Sequence, residues 1–211
     1  MTRIIAGRAG GRRLSTPPGT ATRPTSDRVR EALFSAIESW CGSLSGLRVL
    51  DLYAGSGAVG LEAWSRGAAA VTLVESDRRT AALVAANARD LGAGEAQVLT
   101  SAVATVLARP PAGEPYDVVF ADPPYPLSDE AVAADLRALV EHHWLAPDAL
   151  VVVERSVRSP EPVWPAGLEP HRRRAYGETV LWYGHAALPA PDEDQPRNQP
   201  RNQPSTPIEG E

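Results

Sequence analysis

No lysine occurs in the 211 residues; all 21 basic side chains are arginine. Together with the heavy use of alanine and proline, this reads as coding bias rather than as chemistry. Cysteine is nearly absent as well. The single Cys41 excludes an internal disulfide and a cysteine-rich zinc site. No apolar run approaches the roughly 18 residues that a membrane-spanning helix needs. The basic N-terminus also lacks the apolar stretch of a secretory signal. A soluble, cytoplasmic protein with no membrane partner and no metal is expected. The adjacent His142 and His143 point in different directions and do not make a shared metal site.

What the sequence does contain is enough apolar residue, 43%, for a packed core, and a length that fits one substantial domain with appendages. The net charge of −5 hides an asymmetry. Residues 1–30 hold seven arginines (Arg3, Arg8, Arg12, Arg13, Arg23, Arg28 and Arg30) against one acid, Asp27, so the remainder carries −11. A basic arm on an acidic body suggests a polyanionic partner met through one face. Arg172-Arg173-Arg174 is a candidate for further phosphate contacts, or for solvated strand positions.

The periodicities predict an α/β chain. Two short strands around a Gly-containing turn are expected at residues 3–6 and 10–14, followed by a Pro-rich break. A helix capped by Ser26 or Asp27 runs to Trp40 with Val29, Ala32, Leu33, Ala36 and Ile37 on its apolar stripe. Arg28 and Arg30 fall off that stripe and are expected to be exposed. Strands at 47–52, 70–74, 97–100, 116–121 and 149–154 then alternate with helices at 58–66, 77–91, 101–108 and 128–143. Such alternation implies right-handed crossovers and a mostly parallel sheet covered on both faces. Four prolines after Glu154 stop the pattern, and 171–176 with 179–183 read as a C-terminal antiparallel hairpin. The organisation expected is a basic hairpin arm (1–25), one α/β domain (26–185) and a disordered tail (186–211). The tail repeats Pro-Arg-Asn-Gln in tandem and cannot bury a core.

The segment Asp51-Leu-Tyr53-Ala-Gly55-Ser-Gly57-Ala-Val-Gly60 joins the first strand of this domain to its helix. Glycines there let backbone N–H groups and a helix N-terminus approach a ligand, and Glu75, at the next strand end, suits the hydroxyls of a ribose. This pattern alone fits NAD, FAD or S-adenosylmethionine. Asp51, four residues before the first glycine, would repel a pyrophosphate but suits a ligand with a cationic amino-acid end, which favours S-adenosylmethionine. The segment resembles motif I of the Rossmann-like class I methyltransferases, in which the positions of Asp51, Tyr53, Gly55 and Gly57 line the cofactor pocket.

A second motif, Asp122-Pro123-Pro124-Tyr125, directly follows the 116–121 strand, at a carboxyl end where open α/β sheets bind ligands. Two prolines stiffen the turn and remove two donors. Asp122 and the Pro123 carbonyl can accept hydrogens from an –NH2 group, and Tyr125 offers a face for a stacked base. An exocyclic amine on a base is a poor nucleophile because its lone pair is delocalised. Two acceptors on its hydrogens favour a more tetrahedral nitrogen, and alignment with a methyl donor can be worth about 7–11 kcal/mol. Asp122 is expected to touch the cofactor as well as the amine.

The tetrad resembles motif IV of amino-group methyltransferases. With Arg3-Ile-Ile-Ala-Gly7, Gly11-Arg-Arg-Leu14 and Arg23-Pro-Thr-Ser-Asp27-Arg28-Val-Arg30-Glu-Ala-Leu-Phe34, the chain resembles the RsmD-like family over roughly residues 3–184. That resemblance implies methylation of guanine N2 in 16S rRNA, within the small ribosomal subunit or an assembly intermediate. It also implies that Asp122 and Tyr125 handle the guanine, that Gly55, Gly57 and Glu75 hold the cofactor, and that the basic arm contacts RNA. A monomer is expected. One departure stands out: where related enzymes often carry Asp or Asn for the adenine amino group, this chain has Ser101-Ala102, so that contact falls to Ser101 or to backbone groups. The readings left open are a DNA adenine-N6 methyltransferase, an NAD-dependent oxidoreductase and a non-catalytic RNA-binding ribosome assembly factor.

Overall fold

The computed structural model describes residues 2–17 and 26–188; Arg23, the remainder of the Pro-rich break and the tail from residue 189 lie outside them. The elements are β1 (Thr2–Arg3), β2 (Arg13–Leu14), α1 (Asp27–Cys41), β3 (Arg48–Leu52), α2 (Ala58–Ser65), β4 (Ala70–Glu75), α3 (Arg78–Leu91), β5 (Ala96–Thr100), α4 (Val103–Leu107), β6 (Tyr116–Ala121), α5 (Asp129–Glu141), β7 (Leu145–Ser156), β8 (Leu168–Tyr176) and β9 (Thr179–Ala186). Seven strands form one sheet in the order β5-β4-β3-β6-β7-β9-β8. The first five of that order are parallel, and β9 runs antiparallel to both β7 and β8.

The central strands are apolar at nearly every position because both faces of the sheet are covered. Val49, Val71, Val118, Phe120 and Val152 pack with α1, α2 and α3 on one face. Leu50, Leu52, Val119, Ala121 and Val151 pack with α4 and α5 on the other. Helix starts are set by side-chain caps: Ser26 Oγ accepts from Val29 N (3.3 Å), Asp77 from Thr80 N (2.8 Å) and Ser128 from Ala131 N (3.2 Å).

The topology places the site. From β3 the chain steps outward through β4 to β5, then returns to lay β6 on the other side of β3. Leu52 and Ala121 are register partners at the carboxyl ends of these two strands. The glycine loop and the Asp-Pro-Pro-Tyr turn therefore leave the sheet side by side, at the topological switch point.

The N-terminal residues are built into the same core rather than hung from it. Ile4, Ala9 and Leu14 are buried with Leu61 and Trp64 of α2. The wholly buried Glu62 carboxylate accepts from Ile5 N (2.6 Å), Ala6 N (2.9 Å) and Arg66 Nε (2.9 Å). Gly7, at φ 80°, lies so close to α2 that a Cβ would come within 2.0 Å of the Ser65 carbonyl oxygen. The two expected strands shrink to two residues each because a 3₁₀ turn at Gly7–Ala9 occupies the space between them.

Other departures have local causes. The 101–108 helix shortens to Val103–Leu107, because Ser101 N bonds the Glu75 carbonyl (3.1 Å) and Ala102 offers no side-chain cap. β7 begins at Leu145, four residues before the expected strand, and includes Pro147 and a positive-φ Asp148; its pairing with β6 is irregular between Tyr116 and Val118. β9 continues to Ala186, one residue into the segment expected to be tail. Among the described residues no helix is long and apolar enough to cross a membrane.

Candidate active site

Three carboxylates surround the carboxyl ends of β3, β4 and β6. Asp51, on β3, is 1% exposed and accepts from Gly60 N (2.8 Å), which ties the strand to the first turn of α2. Its pKa is pushed up to about 7, first by burial and then by the acids Asp122 and Glu75, with the Gly60 bond opposing. Glu75 ends β4 and is held in place by two backbone donors, Gly55 N (3.0 Å) and Asp77 N (2.8 Å). Asp122 follows β6, its N–H reaching the Leu52 carbonyl (3.4 Å). Burial pushes Asp122 up to about 6, with the charge of Arg155 opposing.

Between these groups the glycine loop makes its turn. Gly57 sits at φ 79° as the N-cap of α2, and a Cβ there would press on Val84 Cγ1 at 2.9 Å and Leu61 Cδ1 at 3.2 Å. Gly55 has no such neighbour: among the described residues a Cβ there would approach within 4 Å only the Tyr53 carbonyl oxygen, at 4.0 Å. The space over Gly55 is thus open on the ligand side, while Gly57 is needed for packing and backbone conformation. Tyr53 has φ 65° and its hydroxyl donates to Asp135 on α5. Burial first, and then that bond, raise its pKa above the ordinary phenol value.

On the other side of the cleft, Pro123 is buried and Tyr125 is 86% exposed, so its ring is free to stack. Leu127 N closes the turn on the Pro124 carbonyl (2.8 Å). Ser101 and Ala102 lie just beyond β5; Ser101 Oγ donates to the Ala102 carbonyl (3.4 Å). Asp51, Tyr53, Gly55, Gly57, Glu75, Ser101, Ala102, Asp122, Pro123 and Tyr125 are all brought to one edge of the sheet.

Of the seven N-terminal arginines, the six described do not share one environment. Arg30 corrects the sequence reading: it is fully buried, donating to Asp27 Oδ1 (2.7 Å) and the Arg3 carbonyl (2.8 Å), and is withheld from any external partner. It lies on the true buried stripe of α1, with Leu33, Phe34 and Ile37. Arg8 donates to the Trp64 carbonyl (3.0 Å) and covers its ring at 3.9 Å, while Arg12 donates to the Asp90 carbonyl. Both therefore cap the C-terminal ends of helices, α2 and α3. Arg3, Arg13 and Arg28 are exposed, and Arg23 lies outside the described residues.

Sequence reasoning missed Asp135, Arg155 and Asp129. Arg155, on β7, pairs with Asp129 Oδ1 (2.5 Å) at the start of α5, with its side chain 9% exposed. Asp135 carried a signal, since it lies on the buried stripe of α5 among Val132, Leu136 and Leu139. An acid on an apolar helix face requires a partner, and here Tyr53 is that partner.

The family model described as Conserved hypothetical protein 95 matches residues 2–185. Ribosomal RNA small subunit methyltransferase D of Escherichia coli K12 is 40% identical over 181 residues, covering 84% of this chain and 86% of that protein. The chain belongs to this family. Its motifs are those of the RsmD-like resemblance, and the match includes the N-terminal segment that packs on α2. The solved structure of Escherichia coli yhhF is 35% identical, with a TM-score of 0.78, covering 89% of this chain and 99% of that one. An RNA methyltransferase from Salinibacter ruber, solved with S-adenosyl-L-homocysteine, shares the fold at a TM-score of 0.59 and 17% identity, covering 81% of this chain and 98% of that one.

Proposed function

We propose that this chain methylates the exocyclic N2 amine of a guanine in the 16S rRNA of the small ribosomal subunit, with S-adenosylmethionine as methyl donor. The observation that carries the reading is the juxtaposition, across the Leu52–Ala121 pair, of a carboxylate-ringed glycine loop with the Asp-Pro-Pro-Tyr turn. The name of the Escherichia coli relative supports an rRNA substrate, and the ligand of the Salinibacter ruber neighbour supports the donor.

The residues fit that donor. The charged groups acting on Asp51 are two acids, so a cationic ligand relieves a repulsion the protein has built in. Asp51 would face the cationic end, Glu75 the ribose hydroxyls, and the open backbone at Gly55 would lie against the ligand. Ser101 and backbone groups nearby would serve the adenine. S-adenosylmethionine, when bound, supplies an electrophilic methyl group on a sulfonium.

The rest is done by the chain. Asp122 Oδ and the Pro123 carbonyl accept the two hydrogens of the amine and turn its lone pair out of the ring plane. Tyr125 stacks on the base, which must leave its helix or lie in a single strand to reach the cleft. An Asp122 with pKa near 6 is ionised at neutral pH, yet is a stronger proton acceptor than an ordinary carboxylate. It is the group placed to receive the proton that the methylated nitrogen sheds.

The test is transfer of a labelled methyl group to undermethylated small subunits, to their naked rRNA and to duplex DNA. Label in rRNA, reduced by about 10²–10⁴-fold in Asp122→Ala, is expected. Label in DNA alone would contradict the RNA reading, and full activity in the variant would remove Asp122 from the mechanism.

A further inference from the structure

The fold brings the start of α1 and the β8–β9 turn together at the catalytic edge. Ser156, at the end of β7, pairs with Thr179 of β9, and Thr179 pairs with Tyr176 of β8. Because β7 is parallel to β6, the β8–β9 turn lies on the edge from which Asp122 emerges. The N-terminal end of α1 meets this turn: Ser26, Arg28 and Val29 line one cavity with Ala175, Tyr176 and Gly177. Arg3 is tied to that same helix end through Asp27 (3.2 Å), and Arg13 is its register partner in β1–β2. On the hairpin side, Arg158 is 84% exposed and stands 4.0 Å from Glu178. Arg174 is exposed two residues before Tyr176, and Arg172, on the same face of the strand by alternation, lies over Tyr183 on the face that α1 covers.

We infer that Arg3, Arg13, Arg28, Arg158 and Arg174 form one arginine rim that grips the phosphate backbone of the RNA beside the methylated base. The inference rests on the rRNA reading above and adds to it where the polyanion lies. Among the described residues Asp27, Glu31 and Glu178 lie beside the rim, and Asp27 is shared with the buried Arg30, so the five arginines still outnumber the acids. Three strand spacings separate β6 from β8, about 14 Å, so RNA with its base at Asp122 and its backbone over β8 needs to follow the sheet edge for only a few nucleotides. Arg8 and Arg12 play no part, because their guanidinium groups cap helix ends that point toward the opposite edge.

The test compares the full-length wild type with a triple variant, Arg28→Gln, Arg158→Gln and Arg174→Gln. Arg137→Gln, on the exposed face of α5, serves as control. Binding to undermethylated small subunits and to naked rRNA is measured across a salt series. Each phosphate contact contributes about 0.7–0.9 to the slope of log affinity against log salt, so the triple variant is expected to lose about 2 from the slope. Lines that converge near 1 M salt then differ by about 100-fold at 0.1 M. Cofactor affinity should be unchanged in all three proteins. If the triple variant loses cofactor binding, Arg158→Gln alone carries the test, with a slope change of about 0.7–0.9. A wild type that methylates rRNA while the rim variant binds it like Arg137→Gln would overturn the rim alone. A wild type that neither binds nor methylates rRNA would overturn the function it rests on.

Discussion

Burial raises the pKa of both Asp51 and Asp122, but the acids beside Asp51 add to the shift, whereas Asp122 has a cation, Arg155, to oppose it. Burial first, and then two further carboxylates, make the folded protein hold a proton on Asp51 up to about pH 7. The unfolded chain releases it near 3.8. Between those values the folded state binds more protons than the unfolded one, so raising the pH from 4 to 8 costs stability, up to about 4 kcal/mol. Asp51→Asn removes this cost. The ligand-free variant is expected to gain more Tm over the wild type at pH 8 than at pH 5, while losing affinity for S-adenosylmethionine. An equal Tm difference at both values would show that Asp51 carries no such burden. Asp122 has Arg155 to oppose its burial. In the proposed mechanism its ionised form is the active one, so kcat/KM is expected to fall as the pH drops through about 6. Arg155→Met removes the opposing cation and should move this acid limb to higher pH. A limb that stays in place would exclude Arg155 as the partner of Asp122.

At the scale of elements, the N-terminal segment is the part whose role changes most between sequence and structure. Its arginines suggest a basic hairpin arm, yet Ile4 is wholly buried and Glu62 accepts from the backbone N–H groups of Ile5 and Ala6. Ile4→Ala is therefore expected to cost about 2–5 kcal/mol, read as a lower denaturant midpoint at an unchanged m value. A cost under about 0.5 kcal/mol would mean that the segment is only loosely docked. The helices were readable because their signals are local. Ser26, Asp77 and Ser128 announce their caps within a few residues, and the apolar spacing does the rest. Arg30 was not readable, because its partners include the Arg3 carbonyl, 27 residues away. β7 was read short because Pro147 and Asp148 are turn residues by composition, and only pairing with β6 extends the strand through them. The site residues were legible as two motifs, but Tyr53–Asp135 and Arg155–Asp129 join elements that no spacing rule connects.

On the scale of the whole molecule, one topological event makes the site: the chain reverses direction across the sheet between β5 and β6 and sets two motifs 71 residues apart, Asp51 and Asp122, on adjacent strands. The same sheet carries the C-terminal hairpin round to the catalytic edge, where it meets the start of α1. In the proposed arrangement an acidic protein presents basic groups along the edge where the RNA would enter, and its negative charge elsewhere would limit non-specific contact. The group proposed to be methylated is the exocyclic amine of a guanine in rRNA. Its identity is tested most directly by digesting methylated rRNA to nucleosides and identifying the labelled one by chromatography and mass. Label in N2-methylguanosine, absent when Asp122→Ala replaces the wild type, is the result predicted here. Label in N6-methyladenosine, or on a ring carbon, would contradict it.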